Sequence, residues 1–201
     1  MQEVDYWRPK QAAEAEIEVK NSRFISYLEP VSSLAEADEA KARIKALHPN
    51  ARHHCWAQVV GKPFDVHASG SSDDGEPGGT AGRPMLAVLT GKPAGYLMVM
   101  VVRYFGGIKL GTGGLQRAYG DSVRQALVFL QSKTKIAMAT KTLACQYSQV
   151  DDILHLLAQV KGQVIRQDYQ QQVTFELAIP FDKLATFKQN IQTMSSGALT
   201  L

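Results

Sequence analysis

Residues 15–28 alternate like a strand pair. Ile17 and Val19 precede a polar break, and Phe24, Ile25 and Tyr27 follow it. Residues 34–47 place Leu34, Ala37, Ala40, Ile44 and Leu47 at helical spacing, with Ser32 or Ser33 as cap and Pro49 as stop. Residues 53–61 predict a strand with His53, Cys55, Ala57 and Val59 on one face. A loop is expected from Gly61 to Gly82, then a short helix over 83–90 behind Pro84. Residues 95–105, nearly all apolar, predict a strand buried on both faces. The helix over 112–131 has Leu115, Ala118, Tyr119, Val123, Ala126, Leu127 and Leu130 as its inner stripe.

The pattern changes after residues 132–139. A strand over 142–147 is followed by a helix with Ser148 at its cap, Asp151 and Asp152 in its first turn and Gly162 past its end. Strands over 163–169 and 172–179, a second helix over 181–191 and a short final strand over 197–201 complete a β-α-β-β-α-(β) order, the ferredoxin-like arrangement. The expected fold class is α+β, with domains over 1–135 and 136–201.

Composition narrows the class. The net charge of +3 is too small to specify nucleic acid or membrane by itself, but it resides wholly in residues 1–136. Cys55 and Cys145 fall in different units, so no disulfide framework is read and reduced thiols are expected. The N-terminal stretch has no apolar signal core, and the longest apolar run, 96–102, is far short of the roughly 20 residues a membrane span needs. The expectation is a soluble, cytoplasmic protein with no membrane partner.

Two glycine-dense stretches carry the candidate chemistry. The second, 103–114, reads as strand end, turn and helix start. A helix start has unpaired N–H groups and a partly positive end, and glycines let a ligand approach the backbone. Arg103, Tyr104, Gly106, Gly107, Lys109, Gly111, Thr112, Gly113 and Gly114 are therefore candidate anion-binding residues, with Arg117 as a further charge. Neither standard nucleotide loop fits. Thr112 stands where a P-loop needs lysine, and Gln116 takes the third glycine position of a dinucleotide fingerprint. Tight strand–helix packing is the competing explanation of these glycines.

The first stretch, 71–84, holds Asp73, Asp74 and Glu76 and has no apolar residue larger than alanine, so it reads as surface rather than core. Its acids suit a hard cation such as Mg²⁺, or else turn-making, capping and pairing with Arg83 or Arg103. The latter readings are favoured. At 52–55, His53 and Cys55 share a face, but zinc needs two more ligands, with Asp65 and His67 nearest in sequence. No cofactor and no metal is expected. Thiol catalysis by Cys55 is disfavoured by strand geometry, and Tyr104 and Phe105 beside Arg103 suit base stacking or core.

Residues 101–120, preceded by 72–85, 48–57 and 20–25, closely resemble the YigZ/IMPACT family over nearly the whole chain. The resemblance implies an N-terminal α+β domain similar to a domain of a small-subunit ribosomal protein. It also implies a C-terminal ferredoxin-like domain similar to the last domain of elongation factor G. Eukaryotic members act in translational control through an extra domain absent here, and no catalytic residue carries over. The expected function is a non-enzymatic regulator associated with translation, binding RNA, the ribosome or a translation-linked protein through the glycine-rich site. The alternative is a Mg²⁺-dependent enzyme acting on a phosphorylated small molecule or nucleotide.

Overall fold

The computed structural model describes residues 4–63, 65 and 67–201. The first three residues of the stretch read as lacking a signal core, and Phe64 and Val66 of the expected 61–82 loop, lie outside the described residues. The chain forms two compact units, Tyr6–Lys135 and Ile136–Leu201, and Asp5 belongs to the latter.

The first unit runs β1 (Tyr6–Pro9), β2 (Ala13–Val19), β3 (Ser22–Pro30), α1 (Leu34–Leu47), β4 (His53–Val59), β5 (Ser69–Ser72), α2 (Gly82–Thr90), β6 (Leu97–Tyr104), α3 (Thr112–Phe129) and β7 (Ser132–Lys135). Strands β2-β3-β6-β4-β5 form an antiparallel sheet, while β1 and β7 pair separately. The polar break at Lys20–Asn21 is the two-residue turn of the β2–β3 hairpin, with φ of 47° and 61°. Ser33 caps α1 by accepting from the Glu36 N–H, and Glu36 in turn accepts from the Ser32 N–H.

Strand β6 is buried on both faces, and its alternation sorts the two cores. Leu97, Val99 and Val101 join α2 and α3; Met98, Met100 and Val102 join α1. The same alternation in β4 sends Cys55, Ala57 and Val59 toward α2 and α3. Carried two residues further, from Val101 in β6 and from Cys55 in β4, it places Arg103 and His53 on the α3 side, where they are cross-strand partners.

Two expectations for this unit are corrected, and one strand pair was not anticipated. The segment read as continuous loop contains β5, whose polar Ser-Gly-Ser-Ser sequence lacks any apolar alternation and is a strand only because it pairs with β4. The acidic stretch is not wholly surface: Glu76, Thr80 and Ala81 are buried. Small and polar residues enter an interior when their hydrogen bonds are met there. The pair β1–β7 had no periodic signal, because each strand has only four residues.

The second unit runs β8 (Met138–Cys145), α4 (Val150–Gln159), β9 (Gln163–Tyr169), β10 (Val173–Pro180) and α5 (Leu184–Met194), with sheet order β8-β10-β9, all antiparallel. This is the β-α-β-β-α order the sequence predicts. Leu143, Phe175, Leu177, Ile153, Leu157 and Phe187 are central to its core. Gln146, not Ser148, begins the first helical segment through a reciprocal cap with Gln149, because a 3₁₀ turn over Tyr147–Gln149 precedes α4. Lys161, not Gly162, takes the left-handed position after α4 (φ 57°), and the Gly162 N–H closes the turn onto the Leu157 carbonyl at 2.9 Å. Residues 197–201 form no strand. Their backbone closes α5, with the Gly197 N–H on the Gln192 carbonyl and the Leu199 N–H on Ser195 Oγ, and Leu199 and Leu201 pack on the core.

Candidate functional site

The acidic stretch folds itself first. Asp73 to Glu76 is a tight turn closed by the Glu76 N–H on the Asp73 carbonyl at 3.0 Å, with positive φ at Asp74 (41°) and Gly75 (85°). The Asp73 carboxylate accepts from the N–H groups of Gly79, Ala81 and Gly82 at 2.7, 2.9 and 2.8 Å, and so caps α2. Burial pushes its pKa up, but these backbone donors and Arg83 outweigh that, and it lies below the usual value. Asp74 accepts from the His54 N–H at 2.7 Å and lies 3.6 Å from Lys45 Nζ.

Glu76 reaches inward. Its Oε1 accepts from Arg103 Nη1 at 2.5 Å and from the Tyr119 hydroxyl at 2.8 Å, and its side chain is only 3% exposed. Arg103 lies 5.6 Å from the ring centres of both Phe24 and Phe105. It is 7% exposed, and its Nε is buried without a hydrogen-bond partner. The three acids thus serve three different sets of partners, and the described residues contain no cluster of three or more metal-ligating side chains.

Above Arg103 opens a cleft of about 700 Å³. The structure brings Glu76, Arg103, Tyr104, Lys109, Gly111 and Thr112 to its wall. Tyr104 lines it although its hydroxyl bonds His48 Nδ1 at 2.9 Å. Gly111 ends the loop with φ 72° and ψ 169°, a conformation essentially restricted to glycine, and α3 starts at once. The first helical bond is the Leu115 N–H on the Gly111 carbonyl at 2.9 Å, and no side chain caps the start. The N–H groups of Thr112, Gly113 and Gly114 precede that bond and carry the positive end of the helix dipole.

The other expected residues have different roles. Gly106 is a packing glycine: a Cβ there would lie 2.0 Å from the Asn21 carbonyl carbon. Its N–H bonds Ser22 Oγ at 3.1 Å. Gly107 is an exposed turn residue with φ 87°. Gly114 faces Leu110, and Gly113 lines a second groove described below. Asp73 and Asp74 act through the turn and do not line the cleft.

Arg52, His53 and Phe105 also line the cleft; the sequence offered Phe105 for base stacking and His53 only as a partial zinc ligand, and assigned Arg52 no role. The sequence signal for His53 is strand alternation in β4, which sets it opposite Arg103; Arg52 precedes the strand and has no such signal. Arg52 is exposed, and Phe105 is 55% exposed at the rim. His53 Nδ1 donates to the Asp74 carbonyl at 3.0 Å, which fixes its tautomer. Cys55 is fully buried, donates to the Asp73 carbonyl or Tyr119, and is pushed by burial up to about 12. Such a thiol is neither a nucleophile nor a ready metal ligand.

Fold and site together define a two-unit α+β protein whose cleft has exposed cations, an exposed ring and an uncapped helix start, with Glu76, the acid in its wall, paired to Arg103. The Impact N-terminal domain matches residues 20–127, and a domain of unknown function, DUF1949, matches residues 143–198. Similar proteins include an IMPACT family member of Haemophilus influenzae, 44% identical over 98% of this chain and 96% of that one. IMPACT family member YigZ of Escherichia coli is 46% identical over 92% and 90%, and YvyE of Bacillus subtilis 37% identical over 96% and 88%. A crystal structure described only as that of an hypothetical protein superposes with a TM-score of 0.64 at 43% identity, covering 99% of this chain and 97% of that one. The chain belongs to the IMPACT family.

Proposed function

We propose that the protein is a translation-associated regulator that binds single-stranded RNA through the cleft. Family membership supports the translation-linked role. The observation that carries RNA binding is the uncapped start of α3 beside exposed Arg52 and Lys109 and the exposed ring of Phe105. Backbone amides and two cations suit phosphates, and an exposed ring suits a base. The unpartnered Nε of Arg103 adds a fixed donor at the cleft wall. Its charge is already balanced by Glu76, so the attracting charges are Arg52 and Lys109. The three acids, each committed to its own partners, do not favour the magnesium-dependent alternative.

The test is fluorescence anisotropy of a labelled single-stranded RNA across a salt series. Binding weakens as salt rises, and Arg52→Glu with Lys109→Glu makes the negative slope of log K against log salt shallower by about 1.4, roughly 0.7 per phosphate contact. Phe105→Ala weakens binding by about 1–3 kcal/mol. Absence of binding at low salt, or indifference to both sets of changes, refutes the proposal.

A further inference from the structure

A second cavity, about 980 Å³, lies between α2 and α3 and is separate from the cleft in its lining residues. From α3 it takes Gly113, Gln116, Arg117, Gly120, Arg124 and Leu127, a stripe at three- and four-residue spacing along one whole helix face. From α2 it takes Pro84, Ala87 and Val88, again one face, with Gly91 and Lys92 just beyond its end. Trp7 and Leu130 close one part of the floor. The two helices approach closely at Gly120, where an added Cβ would lie 3.7 Å from Val88 Cγ2.

This groove has two properties that together specify an occupant. Its floor is apolar and only partly covered: Val88, Leu127 and Leu130 are all half-buried. Its rim is cationic, with Lys92, Arg117 and Arg124 exposed, and no described lining residue is an acid. Asp121, the acid nearest in sequence, is paired with Arg124 at 2.6 Å. An apolar trough between two packed helices is a geometry that receives a third helix by its apolar stripe. A cationic rim selects acidic flanks on that helix and repels basic ones. RNA suits it less, because an apolar floor offers phosphates and sugar hydroxyls no partners.

The geometry points to the α2–α3 groove as a docking site for an acidic amphipathic helix of a partner protein. The site is independent of the RNA cleft, since its exposed cations, Lys92, Arg117 and Arg124, do not line that cleft.

Trp7 lines the groove, and the chain has only one other tryptophan, Trp56, whose ring sits 4.0 Å from Lys41 Nζ. A Trp56→Phe protein therefore reports the groove by its own fluorescence. The probe is a displayed library of helices of about 18 residues, five turns. Its apolar stripes are randomised, and its flanks are fixed as all Glu in one half and all Lys in the other. Glu-flanked helices are expected to enrich, to shift Trp7 emission, and to lose affinity on the order of tenfold or more in Arg117→Glu/Arg124→Glu. Ala87→Glu, a change at an exposed helix position, is expected to lower their affinity as well, and both variants are checked for unchanged thermal melting. Should a reversal variant fail to fold, Lys92→Glu takes its place.

Arg52→Glu/Lys109→Glu, which disables the cleft, is expected to bind the selected helices normally. Several results overturn the assignment: no enrichment, enrichment of Lys-flanked helices, or selected helices indifferent to the groove variants. So does a Trp7 response to single-stranded RNA or to self-association that Ala87→Glu removes while helices give none.

Discussion

Removing Glu76 tests what holds the wall of the cleft together. Its carboxylate is the acceptor for both Arg103 Nη1 and the Tyr119 hydroxyl, with the two charged side chains 7% and 3% exposed. Glu76→Ala leaves a buried guanidinium without its counter-charge and a buried hydroxyl without its acceptor. Breaking a buried pair from one side costs about 3–5 kcal/mol, much of it the penalty on the charge left behind. Arg103→Met in the same background removes that stranded charge and keeps volume between Phe24 and Phe105, so the double variant is expected to regain about 2 kcal/mol or more over Glu76→Ala. The assay is urea denaturation of the wild type, both single variants and the double, with the slope compared to confirm that the same surface unfolds. A loss below about 1 kcal/mol for Glu76→Ala, or additive losses in the double variant, would show that the pair does not organise this site.

Gly106→Ala drives a Cβ into the Asn21 backbone and is expected to cost about 1–3 kcal/mol or more, read by thermal melting. Asp73→Ala removes the cap of α2 and is expected to cost about 1–2 kcal/mol. The Asp73 pKa is depressed in the folded state. Its contribution is therefore present above the ordinary aspartate value, near pH 4, and is lost as pH falls through the lower folded value; the Asp73→Ala deficit should shrink at acid pH. Lys161→Gly relieves a left-handed residue after α4 and is expected to stabilise the second unit by up to about 1 kcal/mol.

Much of this architecture is written in short-range pattern. The nearly continuous apolar run in 97–104 dictates a strand buried on both sides, and the stripe of 115–126 dictates the helix above it, because side-chain direction repeats every 2 or 3.6 residues whatever lies elsewhere. The uncapped start of α3 was equally legible, since Gly111, Gly113 and Gly114 offer no capping side chain. Which acid met which partner was not. Glu76 lies 27 positions from Arg103 and 43 from Tyr119, and local periodicity encodes no such pairing. Only the closing of the β4–β6 sheet under α3 sets Asp74 to brace β4 and Glu76 to neutralise Arg103, whereas Asp73 finds its cap partners within nine residues of itself. The α2–α3 groove is of the same kind: each helix carries an ordinary mixed face, and a cation-rimmed trough exists only because packing lays the two faces side by side.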